Sequence, residues 1–340
     1  MDRAPSPDGT LDGARAAAKR DRDPQWAYDD AWARMDGALA SAFRHGTVAM
    51  RSHIDSQAGR TLPTWDIWPE LRKRWAGKIE LQAVASLGVA KLLGPYGEAI
   101  AERAAGAGAG LGPVVYRSPD LDLQLDRAFS LAEAFGLTLD FHVDETDDPQ
   151  ARGLRRIAEM ALERGFPRQI VCGHACSLAL QPDDEAETTI ALVRQAGIGV
   201  VSLPGTNLYL QGRKGRRTPT WRGVTRVREL RDAGVPVALG GDNCQDAFYP
   251  FGDHDMVDVF RDSVRIAHLD FPFAGWLDAV SSTPARLMGL EGAGTIAAGR
   301  PADLVIFAET SVPGVLATLG DDRIVLRAGR AIGAAVLPSA

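Results

Sequence analysis

The chain has 340 residues, of which 45% are apolar and 24% charged, with a formal net charge of −6. That length holds one large domain or two ordinary ones, and that composition buries a full-sized core and excludes wholesale disorder. The acidic balance leaves no broad basic surface, so nucleic acid and anionic membrane are poor partners, and no apolar run reaches the roughly 18 residues that span a bilayer.

The first residues, MDRAPSPDGTLDGARAAAKRDRD, lack the apolar segment of a signal peptide. Next comes an amphipathic helix whose apolar positions Tyr28, Trp32, Met35, Leu39 and Phe43 step by three or four, stopped by Gly46 and followed at once by TVAMRSHID. The same helix–glycine–strand pattern returns at RKRWAG then KIELQAVAS, AERAAGAGAG then LGPVVY, LAEAFG then LTLDFHVDE, MALERG then FPRQIVCGHA, LVRQAG then IGVVSLP, and LRDAG then VPVALGGD. The runs are apolar throughout rather than alternating, as in parallel strands covered on both faces. Seven strands are predicted, starting near Thr47, Ile79, Leu111, Leu137, Gln169, Ile198 and Val235. Two helical stretches follow, near His254–His268 and Ala274–Gly289, and then glycine turns with short strands in EGAGTIAAGRPADLVIF and RIVLRAGRAI. Residues 1–289 therefore read as an α/β domain and 290–340 as a small C-terminal β appendage.

Seven strands suit a doubly wound sheet, whereas a (β/α)₈ barrel needs eight. Ionisable residues favour the barrel because they gather at the carboxyl ends of the runs: Ser52, His53 and Asp55, then His142, Asp144 and Glu145, then His174, then Asp242 and Asn243. In a barrel those ends share one mouth. In FHVDETDD, His142 and Asp144 point to one side of the strand and Val143 and Glu145 to the other, unless the strand has ended by Glu145. Imidazole is a neutral metal ligand, and a carboxylate beside a metal or a buried partner moves protons. His174 lies in the same layer as His142. Its neighbours Cys172 and Cys176 form a C-x3-C with no second pair, which predicts small buried thiols; with Cys244 they make an odd, sparse set that points to a reducing cytoplasm. Asp242, after Gly240 and Gly241, suits either a metal-and-water site or the cap of a following helix. The basic stretch with Arg213, Lys214, Arg216, Arg217 and Arg222 predicts a solvated loop, a substrate-covering loop being the sharper alternative. His45, His254 and His268 receive no catalytic role.

The segments MRSHID, FHVDETDD, VCGHA, NLYLQGR with RGVTRVREL, GGDNCQDAFYPFG and GTIAAGRPADLVIF occur in an order that resembles the amidohydrolase superfamily, in its cytosine deaminase-like branch. The resemblance runs from about Gly9 to the end. It implies a distorted (β/α)₈ TIM barrel joined to a small β-sandwich, with one divalent metal ion, Zn²⁺ or Fe²⁺, and a small heterocyclic substrate. By motif, His142 resembles a metal ligand and Asp242 the aspartate that binds metal and accepts the water proton. Glu145 resembles the acid that protonates the ring nitrogen, and His174 the residue that orients the attacking hydroxide. Asn243 and Phe248 fall at substrate-contacting positions. The implied reaction is hydroxide addition to a ring C–NH₂ carbon with loss of ammonia. Cleavage of another non-peptide C–N bond and an inert, metal-free chain are the alternatives.

Two departures carry consequences. The family's first barrel strand ends in H-x-H, and no H-x-H occurs in this chain. The resemblance therefore predicts a barrel lacking its first strand and part of the sandwich, from a truncated chain or a reading frame opened downstream, in which the metal set is incomplete and two sheet edges are exposed. Relatives specific for cytosine tend to carry glutamine near Gly88 and tryptophan at Phe248, so a cytosine-like pyrimidine ring is expected while cytosine itself is left open. Oligomeric state, a homo-oligomer included, is left open by the residues.

Overall fold

All seven glycine-bounded apolar runs become strands of one parallel sheet in consecutive order. The structure, a computed structural model, describes residues 8–22, 28–57, 64–271, 273, 275–318 and 323–332. Helices α1 (Leu11–Arg22) and α2 (Tyr28–Arg44) lead into β1 (Ala49–Asp55). Then follow α3 (Thr64–Trp75), β2 (Glu80–Gly88), α4 (Pro95–Gly106), β3 (Gly110–Val115), α5 (Leu121–Phe135), β4 (Leu139–Val143), α6 (Gly153–Arg164), β5 (Ile170–His174), α7 (Asp183–Gln195) and β6 (Gly199–Ser202). Helices α8 (Pro204–Leu210) and α9 (Val227–Asp232) precede β7 (Val237–Leu239). Beyond it lie α10 (Met256–Ala267), α11 (Ser282–Leu287), β8 (Leu304–Phe307), α12 (Val312–Ala317), β9 (Arg323–Arg327) and β10 (Arg330–Ala331).

The helices cover the convex face in the way their spacing predicts. Leu125, Ala128, Phe129 and Ala132 of α5 and Leu154, Ile157, Ala158 and Ala161 of α6 recur at three and four residues and are buried. They join one core with Leu139, Phe141 and Val143 of β4. Gly136 and Gly165 end these helices in left-handed conformation, and each backbone N–H closes onto carbonyls of the last turn.

The sheet is curled into a half-barrel. In a flat sheet β1 and β4 would lie about 14 Å apart. Yet Arg51 Nη1 on β1 lies 2.9 Å from Asp140 Oδ2 on β4. Among the described residues β1 and β7 are the two edges and do not pair with each other. The fold is thus α/β, a distorted TIM barrel with seven strands.

Two features close the lower, amino-end part of the concave face. Arg51 also donates to Gln82 Oε1 (3.1 and 2.9 Å) and to the Leu287 carbonyl (2.9 Å), and Gln82 Nε2 donates to the Met288 carbonyl (2.7 Å). Leu287 of α11 packs with Val171, Ala238 and Val201 from β5, β7 and β6. A Cβ on Gly199 would lie 2.4 Å from Leu287 Cδ2, so the glycine admits this close approach. The appendage is an antiparallel sheet, β10-β9-β8, and its Val305 packs where a Cβ on Gly46 would stand. Among the described residues no helix is long and apolar enough to cross a membrane.

Candidate active site at the strand carboxyl ends

Three histidines meet at the mouth. The rings of His53, after β1 has climbed to its carboxyl end, and His142 on β4 lie edge to face at 4.5 Å. His142 and His174, the last residue of β5, are stacked at 5.1 Å. Gly112 on β3 makes room for this arrangement, since a Cβ there would come within 3.1 Å of the His53 ring. The backbone turns left-handed, an uncommon conformation for residues with side chains, at Asp144 (φ 51°), His174 (φ 71°) and Asp242 (φ 59°). Such outliers gather at functional sites.

The turn at Asp144 decides which carboxylate faces the mouth. Strict alternation would place Asp144 beside His142. Instead β4 stops at Val143, and the Asp144 carboxylate accepts from the Gly153 and Leu154 N–H groups at the start of α6, both at 2.9 Å. Glu145 then comes within 3.6 Å of His174 Nδ1. Asn207 on α8 donates its Nδ2 hydrogen to the same ring nitrogen at 3.0 Å, which assigns the His174 proton to Nε2. His174 Nε2 and His142 Nδ1 are buried with no hydrogen-bond partner among the described residues.

Electrostatics separates the groups. Burial pushes the Glu145 carboxyl up to about 7, with Arg15 pulling the other way. Burial also lowers His142 well below the usual imidazole range, helped by the charges of His53, His174 and Arg15. His174 is lowered by burial, although Asp242 opposes this. At His53 burial works against protonation, but the Asp140 carboxylate, whose Oδ1 is 3.4 Å from Nε2, overcomes it and raises the group. Asp242 is open to solvent at the mouth and enclosed by protein on its other sides; that enclosure pushes its carboxyl up to about 6 despite His174.

A cavity of about 420 Å³ opens beside Glu145 and His142, bounded by Tyr116 after β3, by Arg15 on α1, and by Gln211 and Arg213 after α8. The basic stretch thus contributes Arg213 to a covering wall, while Lys214, Arg216 and Arg217 are exposed. Gly88 ends β2 on the concave side, where a Cβ would meet nothing within 4 Å.

Of the residues expected from the sequence, Glu145, His142, His174 and Asp242 share the mouth. Glu145 and His142 line the cavity, whereas His174, Asp242, Asn243 and Phe248 lie outside its lining. Asn243 Nδ2 donates to Asp246 Oδ2 at 2.6 Å, and Asp246 Oδ1 accepts from the Phe248 and Tyr249 N–H groups, so this segment is folded on itself. His53 was placed at the mouth by the sequence but given no role there, and Asn207 was not expected at the site. The signal for His53 was its strand-end position; a buried asparagine on a helix carries none. Cys172 and Cys176 are buried free thiols whose burial pushes their pKa well up.

The donor types suit a divalent cation, but the arrangement does not complete a site for one. Among the described residues no three His, Cys, Asp or Glu ligand atoms at the mouth lie within 4.8 Å of one another. The one described trio that does, His45, Asp253 and Asp255, lies elsewhere, and its Asp255 already holds Arg323 and the Val257 N–H.

Residues 98–326 match the model of the amidohydrolase family. The chain is 42% identical over 332 residues to a pterin deaminase of Rhizobium rhizogenes, covering 97% of this chain and 76% of that protein. It is 23% identical to an N-isopropylammelide isopropyl amidohydrolase of Pseudomonas sp., covering 85% and 69%. Its fold is similar to that of 5-methylcytosine deaminase from Klebsiella pneumoniae liganded with 5-fluorocytosine, with a TM-score of 0.86 and 28% identity over 96% of this chain and 80% of that one.

Proposed function

The chain belongs to the amidohydrolase family, and from that premise we propose that it is the catalytic body of a hydrolytic deaminase acting on a planar amino-oxo nitrogen heterocycle of pterin type. The observation that carries the reading is Glu145. It is a carboxyl held near neutrality in its proton affinity, facing the cavity, and 3.6 Å from an imidazole whose tautomer is held by Asn207.

Protonated Glu145 donates to the ring nitrogen next to the C–NH₂ carbon and makes that carbon more electrophilic. Water adds to the carbon, and its proton passes to Asp242, with the neutral His174 imidazole orienting the oxygen. The C–N bond breaks as the amine takes the proton relayed by the two carboxyls, giving ammonia and a ring oxo group. The cavity volume supports a bicyclic ring over a single pyrimidine. Amidohydrolases are generally metal-dependent, and His142 and Asp242 are the family-matched donors in this chain.

A second reading is a chain that binds such a heterocycle without turnover, favoured by the incomplete donor set at the mouth. The test is ammonia release from pterin, guanine, 5-methylcytosine and cytosine, with isopropylamine release from N-isopropylammelide in parallel, each with and without added Zn²⁺ or Fe²⁺. Ammonia from pterin supports the first reading. Amine release from N-isopropylammelide alone refutes deamination, and binding without release under every condition supports the second reading.

A further inference from the structure

Resting on that reading and deepening it, we propose that Arg15 determines specificity by donating from its guanidinium to an exocyclic oxo oxygen of the heterocycle, while Glu145 engages the ring nitrogen. The placement begins with α1. Thr10 Oγ1 accepts the Gly13 N–H at 2.9 Å and is itself held by Asp8 Oδ1 at 2.8 Å, which fixes where the helix starts. Ala14 and Ala17 are fully buried and carry nothing beyond Cβ, so the helix lies close to the protein body. Arg15, between them, lines the same cavity as Glu145 and His142.

Its guanidinium carbon sits 5.0 Å from the centroid of the Tyr116 ring. Such a stack restricts the fork before any ligand arrives and lowers the cost of ordering it. Its ion pair among the described residues is with Asp12 at 3.5 Å, whose side chain is 95% exposed, and a pair that open is worth little. The fork therefore stands in a substrate-sized cavity without a strong carboxylate partner. The lining carries five acidic residues and three arginines, so an anionic substituent is disfavoured and a neutral oxo group suits the donor. A guanidinium on one edge and a titrating carboxyl near the other match a ring that displays an acceptor oxygen and an amidine nitrogen.

The test is binding of pterin and of 2-aminopteridine, which lacks the oxo group, followed by ligand fluorescence for the wild type, Arg15→Gln and Arg15→Lys. Arg15→Gln should weaken pterin about 10- to 100-fold and leave 2-aminopteridine within about twofold, with partial recovery in Arg15→Lys. If the wild type binds cytosine instead, the same comparison is made with cytosine and 4-aminopyrimidine. Equal weakening of both ligands, or of neither, overturns the proposal, as does failure of the wild type to bind any of these rings. Binding that discriminates as stated, with no ammonia released, upholds Arg15 and refutes the proposed reaction.

Discussion

The mouth of the half-barrel has two unlike flanks. In the middle of the sheet, at β4 and β5, His174 is 2% exposed and Glu145 13%, and Asn207 closes over the imidazole. At the two sheet edges, His53 near the carboxyl end of β1 keeps 31% of its side chain exposed, and Asp242 after β7 is open to solvent. On both flanks enclosure by protein raises the carboxyl, Glu145 from 4.5 to about 7 and Asp242 from 3.8 to about 6. Acid–base pairing is thus built on the closed flank, while the edge flank supplies groups that water can still reach.

The largest effect should come from the closed flank. Glu145→Gln should lower turnover of the responsive heterocycle by about 10²- to 10⁴-fold with the fold intact, because a neutral amide cannot give up a proton to the ring nitrogen. Asp242→Asn should cost less, since water at the open flank substitutes in part for the lost acceptor. Steady-state kinetics on both variants checks this, and a larger loss in Asp242→Asn would reverse the assigned order of the two carboxyls.

Beneath both flanks lies the Arg51 hub, with side-chain exposures of 16% for Arg51 and 7% for Asp140. Arg51→Met leaves a buried carboxylate with His53 as its remaining cationic partner and should destabilise the chain by about 3 kcal/mol in urea unfolding. His53 should then titrate higher, because the Arg51 charge now lowers it; NMR of the imidazole reads that shift.

Glu145 also sets a pH dependence of stability. Its folded pKa is raised from 4.5 to about 7, so the fold favours the neutral carboxyl. That contribution is complete below the unfolded value and is lost as pH rises through about 7. Glu145→Gln, neutral at every pH, should match the wild type near pH 4 and exceed its stability by roughly 2–3 kcal/mol at pH 8. A constant difference across that range would mean that the carboxyl is not held in an enclosed site.

Much of this was legible in the residues. The seven strands start within about two residues of the expected positions because each apolar run follows a glycine that must turn left-handed. The convergence of His142, His174 and Asp242 followed from their common place at carboxyl ends. Alternation failed at Asp144, where a local backbone reversal for capping α6 brings Glu145 inward, and no periodicity encodes that reversal. The floor was hidden for another reason. Arg51 and Leu287 are 236 positions apart, and only the curl of the sheet joins them. The segment after Asp242 was not legible either, because the Asp246 turn that holds Asn243 and the Phe248 and Tyr249 N–H groups has no periodic signal.

Asn207 gives the finest probe of the closed flank. Its amide donates to His174 Nδ1 and so keeps the proton on Nε2. In Asn207→Leu that constraint is gone, and Nδ1 is free to carry the proton toward Glu145 Oε1, 3.6 Å away. A donor aimed at the carboxylate favours its charged form, so the Glu145 pKa should fall from about 7. The alkaline limb of the pH–rate profile, where protonated Glu145 is lost, should move to lower pH, with turnover at neutral pH reduced by about tenfold. A loss of similar size with an unmoved limb would show that Asn207 merely fills space, and that the imidazole keeps its tautomer by other means.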